Sequence, residues 1–203
     1  MVPPQRDGAA FVKCTPMRSA LVTLAFLLTC AGGARADAVR MTTNYYRVYG
    51  ATAREVRESI NQLKPWKGPR SMDAQTDWAV RAKYSVGEFG GVSRVQSFET
   101  ETAITITMPV WSPPPAAAEG LTNRWQKYFT ALLRHENGHA ATALKAAAEV
   151  RRRAGAIRQA PTNQELTRKI SDTVDAVLKE FREKEDEYDK QTRHGLEQGA
   201  HFP

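Results

Sequence analysis

From Glu119 to Ala154 the chain has no proline, and Leu121, Trp125, Tyr128, Phe129, Leu132 and Leu133 recur at the spacing of one helical face. A long helix is therefore predicted there, stopped by Gly155, with Arg151, Arg152 and Arg153 near the negative end of its dipole. It constrains everything else, because it carries His135-Glu136-Asn137-Gly138-His139. Histidines four apart lie one turn above each other on the same face, so both imidazoles can reach a single metal ion. Glu136 then stands beside the metal rather than on it, placed to accept a proton from an attacking water. Zinc suits such a site, since it accepts imidazole and carboxylate, keeps an open position and does no redox chemistry. With 4 His in 203 residues, this pattern arises by accident on the order of once in 200 shuffled chains. The plain alternative is a pair of surface histidines on an Ala-rich helix. Gly138 costs roughly 1 kcal/mol relative to alanine inside a helix, which implies that a strand, a second helix or a substrate approaches closely there.

Upstream the pattern is that of a sheet. Asn44 to Tyr49 is aromatic and β-branched and reads as a short strand ending at Gly50. Thr52 with Glu55 forms a capping box for a short helix along Val56, Ile60 and Leu63, broken at Pro65. Trp78, Val80, Ala82, Tyr84 and Val86 alternate with polar neighbours between Asp77 and Gly87; Gly90 and Gly91 supply a turn, and Gly91 to Val110 holds one or two further strands. Pro113, Pro114 and Pro115 separate this half from the helical half. A last helix opens at Thr162 with Glu165 as a second capping box and follows Leu166, Ile170, Val174, Val177, Leu178 and Phe181 toward Tyr188. The charged run 179–187 reads as its water-facing surface. The expected fold is α+β: a small antiparallel sheet of three to four strands with one short helix, followed by two long helices, the first carrying the histidine motif.

A positive region ending at Arg18, an apolar run from Ala20 to Leu28 and a close on Ala34-Arg35-Ala36 read as an export signal cleaved before Asp37. The run is shorter than the roughly 20 residues a bilayer span takes, so no permanent membrane span is expected, and the product is periplasmic or extracellular. Met17 is an alternative start. Cys14 and Cys30 both lie in the removable stretch, which leaves residues 37–203 without a disulfide or a thiolate ligand. Thr29 before Cys30 departs from a lipoprotein cleavage box, which wants Gly or Ala there. The net charge of +7 falls to +4 over residues 37–203, where 25 Lys and Arg face 21 Asp and Glu. So mild and mixed a charge gives no nucleic-acid footprint.

A catalytic zinc usually takes three protein ligands. The metzincin spacing is excluded, because position 145, where its third histidine would stand, is Lys145. His194, in the tail, is the leading candidate for the third ligand. A tight hairpin turning near residue 158 would instead set residues 177–181 level with the motif, and a straight helix would carry His194 about 20 Å past it at 1.5 Å per residue. Glu180 and Glu183 are the carboxylate alternatives that such a hairpin offers beside His194. Tyr188 is a candidate donor to a developing alkoxide, or a core residue. His201 is read as part of a loose end.

Several stretches resemble the bacterial DUF922 family, whose members are described as secreted zinc-dependent proteases. They are Asn44-Tyr45-Tyr46, Thr107-Met108-Pro109-Val110-Trp111, Trp125 ahead of the histidine motif, and Tyr188-Asp189 with Thr192 and His194-Gly195. With the signal peptide already read over 1–36, the resemblance implies a single zincin-like metallopeptidase domain over 37–203. It implies Zn2+ held by His135, His139 and a tail residue, His194 or Asp189, with Glu136 as general base and a peptide or protein as substrate. A rival of another class is a non-catalytic periplasmic interaction module whose metal is structural or absent.

Overall fold

A computed structural model describes residues 37–66 and 72–202; the expected export signal, with Cys14 and Cys30, lies outside the described residues. Strand β1 (Ala38–Val48) leads through helix α1 (Ala53–Leu63) to β2 (Gln75–Phe89) and β3 (Val92–Trp111). The long helix α2 (Leu121–Ala154), a two-residue strand β4 (Gln159–Ala160) and helix α3 (Asn163–Thr192) follow, and a 3-10 turn spans Leu196–Gln198. The α+β class stands, but the sheet is mixed. β3 lies in the middle, antiparallel to β2 and parallel to β1. The expectation of an antiparallel sheet is corrected here for a physical reason. The α1 crossover delivers β2 two places from β1, and β3 then returns between them in the direction of β1, while the two-residue side-chain period is the same for either direction.

Local chemistry explains most of the elements. Thr52 Oγ1 accepts from the Glu55 N–H, and Glu55 Oε2 accepts from the N–H groups of Ala51 and Thr52 at 2.7 and 3.1 Å, so the first capping box is complete. Val56 and Ile60 are fully buried, whereas Leu63 ends the stripe 45% exposed. The β2–β3 hairpin turns on Gly90 and Gly91 at φ 59° and 78°, both left-handed as a two-residue turn of this kind requires. At the start of α3, Thr162 caps the Glu165 N–H, but the Glu165 carboxylate turns to Lys169, so only half of the second box forms.

In the last part of β3, Ile104, Ile106 and Met108 face the helices and are buried, and α2 lies against β2 and β3 with Tyr128, Leu132 and Ala143 inward. The helix layer thus holds the histidine face of α2 near the start of β2. The chain end is tied down rather than loose. The Phe202 ring lies 5.5 and 5.1 Å from those of Trp125 and Tyr128. Its carbonyl accepts from Arg57 Nε and Nη2 at 3.2 and 2.9 Å. Arg57 also pairs with the buried Asp73, which accepts from Tyr128 as well.

Phe202→Ala removes a buried ring and is expected to cost about 3–5 kcal/mol. A thermal melt should fall by about 6 °C or more; an unchanged melting temperature would show that the tail is not part of the core.

Candidate metal centre

His135 and His139 project from one face of α2 with ring centroids 4.9 Å apart, and Asp189 reaches them from α3. Three atoms converge: His135 Nε2 and His139 Nε2 at 3.3 Å, His139 Nε2 and Asp189 Oδ1 at 3.1 Å, and His135 Nε2 and Asp189 Oδ1 at 3.2 Å. Their partners determine what these atoms are. His139 Nδ1 lies 3.2 Å from Glu185 Oε1, and His135 Nδ1 lies 3.2 Å from Gln198 Oε1. A carboxylate and an amide oxygen only accept, so in the neutral rings the hydrogens sit on Nδ1 and both Nε2 atoms present lone pairs. Two lone pairs and a carboxylate oxygen thus face one another with no hydrogen between them.

A cation resolves that arrangement, and the spacing suits one of zinc's size. A tetrahedron with bonds of about 2.0–2.1 Å has edges of about 3.3–3.4 Å, close to the observed triangle. In the metal-free chain a proton plays the part. Burial opposes a charge on His139, but its bonds to Asp189 and Glu185 prevail and push its pKa up to about 10. Burial would raise Asp189, yet the neighbouring imidazoles of His135 and His139 hold its carboxyl well below the usual range.

Glu136 is 3% exposed. Burial raises its pKa, against the opposing bond from Thr76, whose hydroxyl donates to Oε2 at 2.7 Å. The triad and Glu136 open onto a cavity of about 190 Å³, whose other wall is the segment from Met72 to Thr76 leading into β2.

His135, His139 and Asp189 therefore come together with Glu136 alongside. His194 stands just outside, half exposed, with Nδ1 3.4 Å from the second carboxylate oxygen of Asp189. It gets there because α3 ends at Thr192 and the chain doubles back through Arg193 and His194 at φ 49° and 53°, both left-handed. Glu180 instead bonds Lys184 and Arg153, and Glu183 faces Lys179 on the surface. The simple hairpin failed to place Asp189 because residues 155–162 leave the helix and β4 pairs with Ser93 and Arg94 of β3, shifting α3 along α2. Glu185, in the run read as water-facing, turns inward; its place four residues before Asp189, on the same helical face, is the signal that could have found it. Gln198 and Thr76 carried no comparable signal, since both reach the site by folding across the chain.

Gly138 has its reason in Tyr188. That ring stacks on His135 at 5.1 Å and 11°, and its hydroxyl donates to the His135 carbonyl at 3.3 Å. A Cβ on Gly138 would stand 2.5 Å from Tyr188 Cζ and 2.8 Å from Cε1. Tyr188 is thus the close neighbour that the glycine admits, and it does not line the cavity.

Fold and site together define an α+β protein with a His-His-Asp group held between two long helices. The chain belongs to the DUF922 family, described as bacterial protein of unknown function, which matches residues 43–195. No curated protein and no solved structure matches it.

Gly138→Ala separates a needed gap from mere tolerance. Tolerance predicts a gain of about 1 kcal/mol from helix propensity. The contact with Tyr188 predicts a net loss of about 1–2 kcal/mol in denaturant unfolding, because overpacking costs more than propensity returns. In a Tyr188→Leu background that loss should shrink.

Proposed function

We propose that this chain is an exported zinc-dependent hydrolase of peptide bonds, with His135, His139 and Asp189 as the metal's protein ligands and Glu136 as general base. The observation that carries this reading is the triangle of three donors, with edges of 3.1–3.3 Å, opening onto a cavity beside a buried carboxylate. Two imidazoles and a carboxylate without a thiolate are a donor set that zinc accepts. Glu185 and Gln198 orient the two rings through Nδ1, the usual second layer of a histidine metal site. When bound, zinc supplies Lewis acidity that makes water an effective nucleophile near neutral pH.

The remaining work falls to side chains. Glu136 takes a proton from the attacking water and returns it to the leaving nitrogen, a double task favoured by a carboxyl whose pKa burial has raised. Thr76 holds one oxygen of that carboxylate and leaves the other for the water. His194, on the outer oxygen of Asp189, steadies the third ligand. The segment ending at Ala36 supports export, and among the described residues no helix is long and apolar enough to cross a membrane. A structural metal site is closed by four protein ligands and has no use for a buried carboxylate at its side, so the gathered groups favour the hydrolase over the interaction module.

Glu136→Gln should lower cleavage of a casein-derived peptide pool at least about 100-fold while bound zinc stays stoichiometric. His135→Ala and Asp189→Ala should lose zinc, and His194→Ala should keep it. Full activity in Glu136→Gln would contradict the proposed base, and zinc loss in His194→Ala would make His194 a ligand.

A further inference from the structure

The metal cavity does not end at the triad. It adjoins a second cavity of about 340 Å³, and the two share Met72, Asp73, Leu132 and His194 as a common wall. The far side of the second cavity is made by the tail, chiefly Leu196, Ala200 and Phe202. Its two arginines have partners within the chain. Arg57 is taken by Asp73 and the Phe202 carbonyl, and Arg193 pairs with Glu197. Beside these and the imidazoles of His194 and His201, the lining includes the apolar side chains of Met72 and Leu196. Leu196 is 44% exposed, a large apolar side chain left at the rim of a recess.

The same turn builds both the wall and the metal site. Gly195 and Gly199, at φ 83° and 89°, bracket Leu196–Gln198. A Cβ on Gly195 would lie 3.0 Å from His135 Cγ, and Gln198 bonds His135 Nδ1. Leu196 is thereby held at a set distance from the metal ligands. Its neighbours Arg193 and His194 adopt left-handed conformations unfavourable for side-chain-bearing residues, and that backbone conformation is what brings the turn back against the motif.

We propose that the second cavity is the specificity pocket of the enzyme, receiving an apolar side chain of leucine or methionine size from the substrate residue next to the scissile bond. This rests on the hydrolase reading of the first cavity and assigns its substrate class: peptides cleaved beside a bulky apolar residue. The occupant follows from continuity with the metal cavity, from the apolar Leu196 left at its rim and from Arg57 being already held by Asp73.

Peptide hydroxamates test this without catalysis, because the hydroxamate seeks the metal and the side chain probes the pocket. Binding to the zinc-loaded protein is measured by calorimetry for the hydroxamates of N-acetyl-glycine, N-acetyl-leucine and N-acetyl-aspartate. The leucine compound should bind at least about tenfold more tightly than the glycine compound, as burial of an isobutyl group implies, and the aspartate compound no better than glycine. The leucine preference should fall below about threefold in Leu196→Asp and survive in Leu196→Met, with zinc content unchanged in both. Equal affinity for leucine and glycine, or tight aspartate binding, overturns the pocket while leaving the metal site intact. A leucine preference that survives Leu196→Asp overturns the assigned wall. Failure of every hydroxamate to bind zinc-loaded protein sinks the hydrolase reading itself, and the pocket with it.

Discussion

Everything in the site depends on the register of α3 against α2. Two histidine lone pairs on one helix and a carboxylate oxygen on the other occupy a triangle of 3.1–3.3 Å edges, and a slip of one helical turn, about 5.4 Å, would empty it. That register is set both at a distance and beside the triad. β4 anchors the connection to β3, Thr162 caps the start of α3, and Tyr188 drops into the space left by Gly138. The glycine inside the motif therefore concerns helix packing, and through it the position of Asp189 one residue beyond Tyr188.

What could be read from the sequence was what is local. The helix bearing the motif, the capping of α1, the Gly90-Gly91 turn and the alternation along β2 and β3 each follow from residues a few positions apart. Strand direction was not legible, because a parallel neighbour and an antiparallel one share the same side-chain period. The third corner of the triad was not legible either: it depends on how far β4 shifts one helix along another, which no i to i+4 pattern encodes. Asp189 and His194 were candidates through the tail stretch alone; in the fold Asp189 Oδ1 meets the two histidines and His194 stands against the other oxygen of that carboxylate. Glu185 was hidden for a different reason. A lone inward carboxylate in a run of Lys, Glu, Arg and Asp looks like its solvated neighbours until its partner is placed.

The tail links functions that appear separate in the chain. Phe202 closes the core, its carbonyl engages Arg57, Arg57 holds Asp73 in the wall common to both cavities, and Gln198 orients His135. The last helix and the turn after it thus supply the third corner of the triad, both groups that orient the histidines and the rim of the adjoining cavity. Strand β2 contributes Thr76 to Glu136 from the opposite side. On this account the sheet and α2 form a rigid seat, and α3 with its tail completes the chemistry.

If the three converging donors form a metal site, His135, His139 and Asp189 are the protein ligands that X-ray absorption at the zinc edge of the zinc-loaded protein will detect. The spectrum should show one zinc per chain in a shell of light donors that contains two imidazoles completed by oxygen. A shell with three imidazoles, which would bring His194 onto the metal, or a protein that retains no stoichiometric zinc, would contradict that assignment.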